Sequence, residues 1–135
     1  MEIYLSTGGF QNKTSTEILK FFSKNSISNI ELSGGKFEKS YKKKVINFGK
    51  KNNIMLHNYF PYYRKPFVFN LASQDKEIVN KSIMLAKSAI DINSKLKKNF
   101  YSFHAGFLFD PKINMLGDKP VPAKIINRNK GLRSF

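Results

Sequence analysis

The chain has 135 residues, with 24 Lys or Arg against 9 Asp or Glu, for a formal net charge of +15. Hydrophobic residues make up 41% and aromatics 14%, enough to build one core, which excludes a wholly disordered chain. The absence of cysteine excludes disulfides, thiolate ligands and a cysteine nucleophile.

No apolar run approaches the ~20 residues of a membrane span, and the opening Met1-Glu2-Ile3-Tyr4-Leu5 lacks the layout of a signal peptide. A cytoplasmic location without a membrane partner is the expectation. The basic balance would suit nucleic acid. The lysines, however, are spread along expected helix faces, as in Lys42-Lys43-Lys44, Lys50-Lys51 and Lys97-Lys98. Solvated helix surface accounts for such runs, and nucleic acid is the less favoured partner.

Glu2 to Ser6 reads as a first strand, with Thr7-Gly8-Gly9 turning out of it. Thr14-Ser15-Thr16-Glu17 has the spacing of a capping box, so a helix should follow with Ile18, Leu19 and Phe22 facing inward. Ile27 to Leu32 is a second strand, stopped at Ser33-Gly34-Gly35. A second helix is expected from about Glu38 to Asn52, with Tyr41, Val45 and Phe48 on its buried face.

The third strand is Ile54 to His57, and a long aromatic loop follows it. Ser73 is the expected cap of the longest helix, which should run to about Lys98 and bury Val79, Ile83, Ala86 and Ile90. Phe100 to His104 reads as a fourth strand, and a last helical start is expected from Ala123. Strands alternating with helices imply a parallel sheet. Two architectures fit: an open doubly wound sheet, or the first half of an eight-stranded barrel.

Ligands of parallel α/β folds bind at the C-terminal ends of the strands. Glu31, His57 and His104 fall at or near those ends. Two imidazoles at matched positions in successive strand–helix units are the pattern of a metal site at a barrel mouth; the plain alternative is that each is a hydrogen-bonded core residue. Glu31 could be a ligand, a base, or a carboxylate holding a substrate hydroxyl. Asn58, Tyr59 and Asn70, in the loop after the third strand, could hydrogen-bond a polyol, or could simply cap that loop. The aromatics Tyr59, Phe60, Tyr62, Tyr63 and Phe67 could stack on a sugar or base, or pack over the mouth. The glycine spacings of phosphate-binding loops are absent.

Leu56-His57-Asn58-Tyr59-Phe60-Pro61, Phe67-Val68-Phe69-Asn70-Leu71-Ala72-Ser73 and Ser102-Phe103-His104-Ala105-Gly106-Phe107 together resemble the xylose-isomerase-like TIM-barrel superfamily, which includes sugar-phosphate isomerases and epimerases and endonuclease IV. The resemblance implies an α/β chain, residues 1–135 forming the N-terminal half of a (β/α)8 barrel, with about four parallel strands and outer helices. It implies that His57 and His104 bind a divalent metal ion (zinc, manganese or magnesium). The family's remaining ligands come from strands five to eight. This chain is therefore expected to be truncated before strand five, to hold the ion weakly and to lack a full active site on its own. A barrel needs at least ~200 residues.

The function this implies is a metal-dependent sugar or sugar-phosphate isomerase or epimerase, with Glu31 moving the proton. The alternatives are an endonuclease IV-like phosphodiesterase and a non-catalytic half-barrel that binds a partner. Self-association through open sheet edges is also expected. The side chains expected to miss the opposite wall of a barrel are Ile3, Leu5, Ile30, Met55 and Phe103.

Overall fold

The computed structural model describes residues 2–58 and 60–115. In chain order they form Leu5–Ser6 (β1), Ser15–Lys24 (α1), Asn29–Leu32 (β2), Tyr41–Gly49 (α2), Asn53–Leu56 (β3) and Lys76–Lys95 (α3), with a short 3-10 turn at Ile113–Met115. Tyr59 and the helical start expected from Ala123 lie outside the described residues. None of the described helices is long and apolar enough to cross a membrane.

The three strands make one parallel sheet in the order β1-β2-β3, with Leu5 beside Ile30 and Glu31 beside Met55. Side chains alternate across a pleated sheet. Ile30, Leu32, Ile54 and Leu56 turn to one face, where they join Ile18, Leu19 and Phe22 of α1, Val45 of α2 and Ala89 and Ile92 of α3 in a single buried cluster. All three helices therefore cover the same face. Each fully buried Leu, Ile or Phe in this cluster contributes about 1.5–3 kcal/mol. Glu31 and Met55 point to the opposite face. Ile30, expected on the uncovered face, lies against the helices instead. Ile3 is 74% exposed at the outer edge of the sheet.

α1 is set by its capping box: the Thr14 hydroxyl accepts from the Glu17 amide while the Glu17 carboxylate accepts from the Thr14 amide. A second carboxylate arrives from outside the helix. Glu38 accepts from the Ser15 hydroxyl at 3.1 Å and from the Thr16 amide and hydroxyl at 3.2 and 2.7 Å, and pairs with Lys44 of α2. The negative charge sits against the positive end of α1. With Glu38 committed there, and Ser40 in the left-handed region at φ 65°, α2 starts at Tyr41 rather than at Glu38. α1 and α3 end alike. Ser26 and Lys97 take φ 58° and 57°. The next amides, Ile27 and Lys98, reach back to the carbonyls of Phe22 and Asn93, the bonds of a Schellman motif made without glycine.

Three further expectations fail. α3 begins at Lys76 with Asp75 as its cap, its side chain accepting the Glu77 amide, while the Ser73 hydroxyl accepts the Asp75 amide just before the helix. Its buried stripe is Ser82, Leu85, Ala89, Ile92 and Asn93, while Ile83 and Ile90 are 38% and 56% exposed. The helix carries two apolar stripes, and periodicity alone does not say which one meets the core. The fourth strand does not form among the described residues. One parallel bridge, His57 to Ser102, is all that pairs this stretch with the sheet.

Partial burial pushes Glu38 up, but Lys44, Thr16 and Ser15 together outweigh it, and its carboxyl lies below the usual value of 4.5. Glu17 is lowered too, by the Thr14 amide and hydroxyl. A carboxyl depressed on folding contributes stability above its unfolded value and loses it as pH falls through the folded one. Stability should therefore drop as pH falls below about 4.5. Glu38→Gln should cost about 1–2 kcal/mol at neutral pH and flatten the acid side of the curve. Urea unfolding across pH checks both.

Candidate functional site

A cleft of about 950 Å³ opens where the C-terminal ends of the three strands meet the loops that follow them. That volume lies within the range of ligand sites. Ser6 ends β1, Glu31 lies near the end of β2, and His57 directly follows β3; all three line the cleft. Ser33 faces Ser6, hydroxyl to hydroxyl, at 3.0 Å. Tyr62, Tyr63 and Phe67 form an aromatic wall, with Tyr62 edge-on to Phe60 at 5.1 Å and Tyr63 to Phe67 at 5.1 Å. Among the described residues the basic groups on the lining are Lys36 and Arg64, and Glu31 is the acidic one. The Glu31 carboxylate takes no hydrogen bond or ion pair from any described residue.

His57 and His104 meet at this edge. Their ring centroids are 5.7 Å apart and the planes stand at 78°. His57 Nδ1 lies 2.8 Å from Ser102 Oγ, which leaves Nε2 as its free nitrogen. The described residues contain no cluster of three or more His, Cys, Asp or Glu fit to hold a metal. What they offer is a pair of imidazoles, of which His57 lines the cleft together with Glu31 and His104 does not.

Asn58 is the link that brings His104 in. It sits in the left-handed region at φ 53°, which asparagine tolerates better than most residues. Its amide N–H donates to the Ser102 carbonyl at 2.9 Å, and its side-chain oxygen accepts the His104 amide at 3.4 Å. Its own carbonyl accepts the Tyr101 hydroxyl at 2.6 Å. Burial pushes the Tyr101 phenol up to about 12, so it remains a donor at neutral pH. Of the two readings of Asn58, polyol contact or loop cap, these bonds match the cap, and the residue also lines the cleft.

Asn70 goes further. It is fully buried. Its side-chain oxygen accepts the amides of Ala72 and Phe107 at 3.1 and 2.9 Å. Its Nδ2 donates to the Phe109 carbonyl at 3.0 Å and to the Asp110 carboxylate at 2.8 Å. Its own amide donates to the Ser82 hydroxyl of α3. The side chain has used its two acceptor positions and both donors, leaving nothing for a ligand. Gly106 makes this possible: a Cβ there would stand 2.2 Å from Asn70 Oδ1.

Burial also drives the Tyr62 phenol well above its usual range. Thr7 acts in the opposite direction and more weakly, without a hydrogen bond forming between them. The hydroxyl packs against Gly35 at φ 141°, where a Cβ would lie 2.7 Å from it. Sequence reasoning overlooked Ser102, Ser6 and Ser33. For Ser6 and Ser33 the signal was their position at or just after a strand end, in line with Glu31; Ser102, inside the expected fourth strand, carried no such signal.

Searches against models of known protein families, curated proteins and solved structures return no match.

Asn70→Ala leaves the amides of Ala72 and Phe107 without their acceptor. It should cost about 2–4 kcal/mol in urea unfolding. Hydrogen exchange should quicken at those two amides while the β2–β3 ladder keeps its protection.

Proposed function

We propose that this chain is a metal-dependent sugar or sugar-phosphate isomerase- or epimerase-like protein built on the first half of a βα barrel. The sequential strand order with all three helices of the described residues on one face supports the barrel wall over a doubly wound sheet, which carries helices on both faces. The observation that carries the functional reading is the 5.7 Å pairing of His57 and His104 beside a cleft that also holds Glu31.

With metal–nitrogen distances of about 2.0–2.1 Å, two imidazoles on one ion have centroids on the order of 5–6 Å apart. That spacing is compatible with two positions of a divalent ion's shell, reached through His57 Nε2 and the His104 ring. Catalytic zinc sites usually have three protein ligands, so the affinity expected of this pair is weak. A bound ion would supply polarisation of a substrate carbonyl. Glu31, free of partners among the described residues, would take a proton from the carbon beside that carbonyl and return it to a neighbouring atom. The Ser6–Ser33 hydroxyls and the aromatic wall suit the polar and apolar faces of a sugar, and Lys36 and Arg64 suit a phosphate.

A nuclease reading draws less support. Among the described residues only those two basic side chains line the cleft, whereas several lysines pair with carboxylates on the helices, as Lys42 does with Asp91 and Lys81 with Glu77. The exposed outer edge of β1, with Ile3 and Leu5, is the place for self-association.

Titration calorimetry with zinc tests the site. Weak binding is expected from the wild type, with a loss of tenfold or more in either His57→Ala or His104→Ala. Binding that survives both substitutions together would place the ion elsewhere and remove the proposal's main support.

A further inference from the structure

We infer that Ser102 is a positioning residue that fixes the tautomer of His57, keeping the proton on Nδ1 and leaving Nε2 as the available lone pair. The inference rests on the reading of His57 as a ligand and adds how that ligand is prepared.

The 2.8 Å contact between His57 Nδ1 and Ser102 Oγ can run in two directions. If the hydroxyl donates, a neutral ring carries its hydrogen on Nε2 and has no lone pair left for an ion or a substrate. If the ring donates, Nε2 is free. The bond made by one ring nitrogen decides which proton form the other takes.

One observation favours the second direction, and another shows that the contact is built in. Ser102 is exposed, so its own hydrogen has water to donate to and the oxygen can act as acceptor. The contact is also built by the backbone rather than by a chance rotamer. His57 and Ser102 form the one parallel bridge between β3 and this segment, and the Asn58 amide bonds the Ser102 carbonyl at 2.9 Å. This bridge and this bond hold the two side chains face to face whether or not anything is bound. A ligating histidine oriented through its second nitrogen is a common arrangement, and loss of the orienting partner typically weakens metal affinity 10- to 100-fold.

The direct test is long-range 1H–15N NMR of the metal-free protein at about pH 8, above the ordinary imidazole range. His57 should be mainly the Nδ1–H form in the wild type. Ser102→Ala should return it to the Nε2–H form that free histidine prefers, and Ser102→Thr should restore the Nδ1–H form. The exposed Ser102 side chain can be changed without touching the backbone bonds, so the fold should be kept. Zinc affinity in Ser102→Ala should fall about tenfold. A His57 tautomer that is Nε2–H in the wild type, or the same with and without the hydroxyl, overturns the inference even if zinc binds. A wild type with the Nδ1–H form but no zinc binding would leave the inference standing and sink the metal reading instead.

Discussion

Two buried side-chain amides, Asn58 and Asn70, hold the segment from Tyr101 to Asp110 against the rest of the molecule. Between β1, β2 and β3 that task falls to ladders of backbone bonds. Past His57 the ladder shrinks to one bridge, and the amides take over with bonds to His104, Phe107, Phe109 and Asp110. A buried carbonyl or amide N–H left without a partner costs about 1–3 kcal/mol. Having both asparagines satisfied is therefore a condition for this segment to lie where it does. His104 depends on it: without the segment docked, only His57 would stand at the edge of the sheet.

The covered face and the open face of the sheet divide structure from chemistry. Ile30, Leu32, Ile54 and Leu56 meet all three helices and make the core. The intervening side chains and the strand ends, Ser6, Glu31 and His57, are left to line the cleft. Period-two alternation fixes both sets at once, so a carboxylate placed between Ile30 and Leu32 has to face away from the helices. Glu38 shows the same economy: one carboxylate caps α1 and pairs with α2, tying together the two helices that flank the loops around the cleft.

Much of this was legible in the residues. The capping box at Thr14 and Glu17, the inward set of Ile18, Leu19 and Phe22, and the parallel alternation of strand and helix all follow from local chemistry that tertiary structure did not override. α3 was less readable, because Val79, Ile83, Ala86 and Ile90 form as good a stripe as the one that is buried; only the partner surface chooses. Asn70 left two readings open, a polyol contact or a loop cap, because a sequence cannot show that Gly106, 36 positions away, leaves a space its side chain fills. The fourth strand failed for a related reason. Phe100 to Phe103 has strand composition, but there the Tyr101 hydroxyl donates to the Asn58 carbonyl and Asn93 Nδ2 donates to the Phe100 carbonyl in place of a ladder.

Asparagine-anchored docking, added to a single strand bridge, sets the two imidazoles side by side. Cross-relaxation between the ring protons of His57 and His104, measured by NMR in the wild type and in Asn70→Ala, tests it most directly. A clear cross-peak is expected in the wild type, in keeping with centroids 5.7 Å apart, with its loss in the variant while the β1–β3 sheet stays protected from exchange. A wild type without the cross-peak, or a variant that keeps it at full strength, would contradict the account.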